Sequence, residues 1–322
     1  MNVMSKCCPV RPTTGDDRDG GRARTRRILS VAMLVGVGVG TCLVPVPLVA
    51  QPGPGLTILL TNDDGFEAPG ITVVRDALIA AGHRVTIVAP LDDRSGSAMS
   101  VTTSGTIDYY RQEEGVWAID GTPADAVTLA LVHVMRSGPP DLVVSGADFG
   151  HNVGANLLGS GTVGAALTAA RAGVPAIALS VAVDSGERSH PTPFSSTTDA
   201  LAPAAAFLVE VVRQLAETGG AGLLPPRAVL NVNYPAVGAD PPAGVRFATV
   251  SSQRAFRQLY SVAGDTGPAR VETVAADADR AEEGSDVALL ASDLVTISVL
   301  VGNWDAGQAA WEPLRARLVI ER

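Results

Sequence analysis

From residue 56 onward, short runs of apolar and β-branched residues alternate with longer segments whose apolar positions recur at helical spacing. Leu56–Thr61, Arg84–Ala89, Asp141–Ser145, Pro175–Ser180 and Ala228–Asn233 read as buried strands. Ala68–Ala81, Pro123–Met135, Thr162–Arg171 and Asp199–Glu217 read as helices. Strands that alternate with helices predict an α/β fold, a mostly parallel sheet with helices on both faces, because parallel neighbours need a crossover that covers the sheet. Residues 184–198, rich in Ser, Thr and Pro, predict a long loop. Between 245 and 302 the pattern changes to strand-like segments broken by Gly and Asp, which predicts a C-terminal β-hairpin extension, and Asp305–Leu318 fits a closing helix. The expected organisation is one domain over residues 51–322, with an α/β core at about 56–235 and the extension and closing helix at about 245–318.

The first fifty residues do not share this pattern. No charge occurs from Ile28 to Gln51, and Arg22, Arg24, Arg26 and Arg27 stand just before the run. Basic residues followed by an apolar stretch predict an export signal cleaved near Ala50, or a membrane anchor through residues 28–50, so the body is expected to be periplasmic or extracellular. Thr25-Arg26-Arg27-Ile28-Leu29 is similar to a twin-arginine signal. All three cysteines (Cys7, Cys8, Cys42) lie in this leader, which leaves the body without a disulfide or a thiolate metal site.

Charge narrows the chemistry. The chain of 322 residues is 46% hydrophobic and 18% charged, opposite to the disordered signature. The leader carries +4, so the whole-chain charge of −9 leaves −13 on residues 51–322. An acidic body repels phosphate backbones and excludes a polymeric nucleic acid as partner. If such a body handles phosphate, a bound cation must mediate the contact.

Three polar clusters follow predicted strands, where ligands bind in open α/β sheets. The first is Thr61-Asn62-Asp63-Asp64-Gly65. Adjacent carboxylates at a buried strand tip repel each other unless a proton or a hard divalent cation such as Mg²⁺ or Mn²⁺ lies between them; an exposed Asp-Gly turn is the plainer reading. The second, Asp92-Asp93-Arg94-Ser95-Gly96-Ser97, offers a hydroxyl ligand and an arginine able to neutralise a phosphate. The third runs from Ser145 to Gly154 and on into Ser160-Gly161-Thr162 at a helix start, where unpaired N–H groups suit a phosphate. A dinucleotide site would place its glycines after the first strand, where this chain has acids, although Asp92 could meet a ribose. No Ser-His-Asp set is evident. His83 and His133 read as structural, while His151 and His190 stay open.

Taken together, LLTNDDGFEAPGI (59–71), VAPLDDRSGSAMSVT (88–102), DGTPADAV (120–127), DLVVSGADFGHNVG (141–154) and SGTVGAALTAARAGVPAIALS (160–180) resemble the SurE family of metal-dependent nucleotidases and acid phosphatases. The resemblance implies a Rossmann-like core with a hairpin extension that exchanges between subunits of a homodimer or homotetramer. It also implies hydrolysis of nucleoside 5′- and 3′-monophosphates. By position, Asp63, Asp64, Ser95 and Asp148 would be the metal ligands, Asp63, Asp64 and Asn152 the catalytic residues, and Asn152, Ser160, Gly161 and Thr162 the phosphate seat. The family pattern has Asn where this chain has Asp148, and Asn where it has Met99. Gly284-Ser285-Asp286 matches the family's Thr-Asp block with Ser for Thr. An exported, non-catalytic metal- or phosphate-binding protein, and a dinucleotide oxidoreductase, remain the competing classes.

Overall fold

The computed structural model describes residues 55–218 and 222–302; the leader at 1–50 and the expected closing helix Asp305–Leu318 lie outside them. The five expected core strands are present as β1 (Thr57–Thr61), β2 (Arg84–Pro90), β5 (Leu142–Phe149), β6 (Ala176–Val181) and β7 (Ala228–Tyr234), all but β1 and β2 starting within an almost wholly buried run. Two strands absent from the sequence reading, β3 (Tyr109–Glu113) and β4 (Val116–Ile119), form a hairpin on one flank. Every residue of β3 is exposed, so it carries no apolar alternation to betray it.

The four expected helices are α1 (Pro69–Ala80), α2 (Pro123–Leu129), α3 (Gly161–Arg171) and α4 (Ser195–Thr218). Their starts have local causes. Pro69 and Pro123 occupy first-turn positions where a missing N–H costs nothing, and Thr122 with Asp125 forms a reciprocal capping box for α2. Ser160 caps α3 by accepting from Val163 N at 3.0 Å. The predicted loop at 184–198 is shorter than expected, because α4 begins at Ser195 and is anchored by Thr197 Oγ1 donating to Ala182 O at 2.8 Å.

The C-terminal region contributes β8 (Gly244–Phe247), β9 (Phe256–Val262), β10 (Ala269–Ala275), a short α5 (Asp286–Leu290) and β11 (Leu294–Val301). Only β9 and β10 form a separate antiparallel hairpin. β11, an apolar run, pairs antiparallel with β7, and β8 pairs parallel with β11, so half of the expected extension belongs to the main sheet. That sheet has the order β3-β4-β2-β1-β5-β6-β7-β11-β8.

One apolar layer, including Ile58, Leu60, Ile71 and Leu208, packs α1 and α4 against one face of the sheet. Another, including Leu59, Val88, Val143 and Val163, packs α2 and α3 against the other. From β1 the chain goes to β2 on one side, and β5 flanks the other side. This reversal opens a crevice at the carboxyl ends of β1 and β5, the place where open α/β sheets bind ligands.

α1 lies so close to β5 that a Cβ on Gly70 would come within 1.9 Å of Ala147 O. Gly70→Ala is therefore expected to destabilise the fold by about 1–3 kcal/mol through overpacking, and to lower Tm by several degrees. Thermal denaturation checks this; an unchanged Tm would mean that α1 lifts freely.

Candidate functional site

The crevice collects the polar clusters. Thr61 of β1 is in register with Ser145 of β5, so Asp63 and Asp64 leave β1 beside the stretch that carries Asp148. Between Ser145 and Asp148 the pairing of β5 with β6 shifts register, and a bulge of this kind re-aims the side chains that follow it. Asp63 and Asp148 are buried and Asp64 partly so. The α3 N-terminus meets Asp63 directly: the Thr162 hydroxyl donates to Asp63 Oδ1, and the Thr162 N–H also faces that carboxylate. Thr162 also works against the raised Asp148 carboxyl, though less than Asn152 does. Gly161 is required here, since a Cβ would fall 2.7 Å from Ser97 Oγ and 2.8 Å from Asp63 Oδ2.

Burial pushes the Asp63 carboxyl above its ordinary range, against the hydrogen bonds from Thr162. Asp64 is pushed up to about 6 by burial and then by the charge of Asp63. Asp148 is held well above the ordinary carboxylate range by burial, then by the charges of Asp63 and Asp64. The crevice is thus short of positive charge. Four buried oxygens near the strand tips, Thr61 Oγ1, Asn62 Oδ1, Ser97 Oγ and Ser145 Oγ, have no hydrogen-bond partner among the described residues. Hard oxygens that lack both a donor and a counter-charge are the donor set a hard divalent cation satisfies.

The acids are not gathered into a finished cage. Among the described residues no three His, Cys, Asp or Glu side chains stand close enough together to hold a metal ion as placed. Each acid instead has a local partner: Asp63 has Thr162, Asp64 Oδ2 accepts from Phe149 N at 3.1 Å, and Asp148 Oδ2 accepts from Asn152 Nδ2 at 2.6 Å. The charge of Asp63 acts on Asp64, and the charges of both act on Asp148, so the three acids are neighbours. Ser95 lies on the exposed rim, its N–H donating to Asp93 Oδ1 at 2.7 Å, whereas the Ser97 hydroxyl of the same loop is buried beside Gly161 without a hydrogen-bond partner among the described residues. Arg94 does not face the crevice with its charge. Its N–H donates to Asp63 O at 2.7 Å, and its guanidinium pairs with exposed Asp120 at 2.6 Å. Ser160 spends its hydroxyl on the helix cap, and Met99 packs against the apolar layer under α2 and α3.

Asn152 is fixed by a buried amide network that sequence reasoning missed. Its N–H donates to Asn233 Oδ1 at 2.7 Å, and its carbonyl accepts from Asn231 Nδ2 at 2.8 Å and Asn233 Nδ2 at 3.0 Å. Its side-chain amide donates to Asp148 and to Ser180 Oγ at 2.9 Å. Asp286 secures the next stretch by accepting from Gly154 N and Ser251 N, each at 2.9 Å. The available signal was Asn231-Val232-Asn233: two amides on one face of a fully buried strand require partners inside the protein. His151 is half-buried beside Phe256, and loss of solvent around the ring lowers it to about 4, so it is neutral. His83 accepts from Leu56 N at 3.1 Å, and His133 meets Tyr109 Oη at 3.1 Å on the surface, both as structural groups.

A buried acidic crevice at the switch point of an α/β sheet, with a helix N-terminus turned into it, is an arrangement able to receive a small charged ligand. Residues 58–257 match the family described as Survival protein SurE, and the chain belongs to that family. The 5′-nucleotidase SurE of Desulfatibacillum aliphaticivorans is 44% identical over 193 residues, 59% of this chain and 69% of its own. That of Thermosynechococcus vestitus is 34% identical over 270 residues, 79% of this chain and 93% of its own. The SurE protein from Aquifex aeolicus superimposes with a TM-score of 0.66 at 27% identity, over 80% of this chain and 99% of that one.

The expectation of an exported or membrane-anchored protein is corrected. The relatives are named as SurE 5′-nucleotidases and nothing in those names marks an exported protein, while the family match begins at residue 58, after the leader. No helix among the described residues is long and apolar enough to cross a membrane. Basic residues before an apolar run are a compositional signal, and here Leu48 stands where a cleavage site takes a small residue.

Proposed function

We propose that the chain is a metal-dependent phosphomonoester hydrolase that releases phosphate from nucleoside 5′- and 3′-monophosphates. The observation that carries the reading is the trio Asp63, Asp64 and Asp148, buried together with raised pKa values among unpartnered oxygens. Names of relatives support it, since they are 5′-nucleotidases. Asp63, Asp64, Asp148 and, from the loop after β2, Ser95 would hold a divalent cation, Mg²⁺ or Mn²⁺. Such a cation supplies polarisation of a phosphoryl oxygen and a bound water of lowered pKa.

The remaining work falls to the chain. Asn152, whose backbone is held by Asn231 and Asn233, would turn its side-chain amide from Asp148 and Ser180 to a phosphate oxygen. Thr162 and Gly161 offer the positive end of α3 to phosphate oxygens, and Ser160 fixes that end through its cap. We further propose that residues 51–322 act as one domain and assemble as a homodimer or homotetramer.

Phosphate release from AMP by the purified protein tests the reading. Release is expected with added Mn²⁺ and is expected to fall to background with EDTA. Full activity after exhaustive chelation would remove the cation from the chemistry, and no release under any condition would favour a non-catalytic binding protein.

A further inference from the structure

Phe149 ends β5, and it is the one exposed residue of a strand that is otherwise buried throughout. The residue is 39% exposed, yet its backbone N–H donates to Asp64 Oδ2 at 3.1 Å, so the side chain leaves the backbone beside the acidic crevice. The ring is also braced. Phe194, just before α4, meets it edge to face with centroids 6.1 Å apart and planes at 81°. Phe194 has φ 56°, a left-handed conformation that bulky residues rarely adopt, and its carbonyl accepts the N–H and hydroxyl of Thr198. At Gly150, the next residue, an added Cβ would meet nothing nearer than the Asp148 carboxylate oxygens at 3.8 and 3.9 Å. Gly150 therefore puts no side chain beside the Asp148 carboxylate, one residue from the ring.

We infer that Phe149, braced by Phe194, is the seat of the nucleobase, an aromatic subsite that selects substrates with a planar group on the far side of the sugar. This rests on the hydrolase reading, since the phosphate must lie at the acids for the base to reach the ring. A rigid aromatic on the rim of a charged crevice complements a ligand that is anionic at one end and flat at the other. Stacking on one aromatic side chain contributes about 1–3 kcal/mol, and 1.4 kcal/mol is a factor of ten.

The test compares AMP with ribose 5-phosphate, which keeps sugar and phosphate and lacks the base. In Phe149→Ala the ratio of kcat/KM for AMP to that for ribose 5-phosphate is expected to fall about tenfold, with the loss in KM, and Phe149→Trp is expected to restore it. An unchanged ratio overturns the subsite, as does an equal loss on both substrates, which would mean that the residue acts through Asp64. A change in sedimentation of Phe149→Ala with no change in the ratio overturns it in favour of a subunit contact. If the wild-type protein hydrolyses neither compound, the hydrolase reading fails by itself, and binding of adenosine alone by saturation-transfer NMR decides the subsite: loss of the signal in Phe149→Ala supports it, and persistence overturns it.

Discussion

Asp64→Asn lowers phosphate release from a nucleoside monophosphate by about 100-fold or more, whereas His133→Gln changes it by less than about twofold. The substitution is nearly isosteric, and the Asn carbonyl oxygen can still accept from Phe149 N, the bond that Asp64 makes now. What disappears is one negative charge in a crevice where three acids compete for a counter-ion. Loss of a charge that holds a catalytic cation removes transition-state stabilisation, and single contributions of this sort are commonly worth 10²–10³ in rate. His133 meets only Tyr109 on the surface and is remote from the crevice network. Asp64→Asn should not unfold the protein, because a carboxyl raised to about 6 by burial gains nothing from its charge in the fold. Steady-state kinetics at saturating Mn²⁺ with both variants decides the matter, and a dead His133→Gln would replace the acidic mechanism with a histidine one.

The sequence carried the parts of this protein whose physics is local. β1, β2, β5, β6 and β7 are short apolar runs bounded by Gly, Asp and Pro, and their ends matched within a few residues. The acids of the crevice were legible for the same reason, since Asp63 and Asp64 come just after β1 and Asp148 stands near the end of β5. What escaped detection depends on partners far along the chain. β3 has no buried face and exists because β4 pairs with it. β11 falls in the expected hairpin extension because nothing local says that a run at 294–301 returns to pair with β7, from Thr296 against Asn233 to Val301 against Ala228. The same holds within the site. Asn231 and Asn233 act on Asn152 across two strands, and Asp286 reaches Gly154 from the far end of the domain. The resemblance names Ser95, which lies on the exposed rim, while Ser97 two residues on is buried beside Gly161.

Asp148→Asn is expected to weaken Mn²⁺ binding and, at saturating metal, to lower KM for AMP. Asp148 brings a third carboxylate where the family pattern has an amide, so the ion is held by more negative charge and presents less positive charge to a phosphate dianion. Without metal, the same variant should be the more stable protein. Burial and the charges of Asp63 and Asp64 hold the folded Asp148 proton more tightly than the unfolded chain does. A carboxyl raised in the folded state makes the fold take up protons, so stability is greatest below the unfolded value near 3.8 and is lost as pH rises through the folded one; for Asp64 that window runs from 3.8 to about 6. Metal-free wild-type protein should therefore melt at lower temperature at pH 8 than at pH 5. Asp148→Asn, which removes one acid and relieves the other two, should decline less steeply over that range. Added Mn²⁺ should narrow the difference, because the wild-type site binds it more tightly and gains more from it. Calorimetric titration gives the affinity, kinetics gives KM, and melting with and without chelator gives the pH slope. If Mn²⁺ affinity and the slope are both unchanged, Asp148 faces away from the ion, and its hydrogen bond to Asn152 is its whole role.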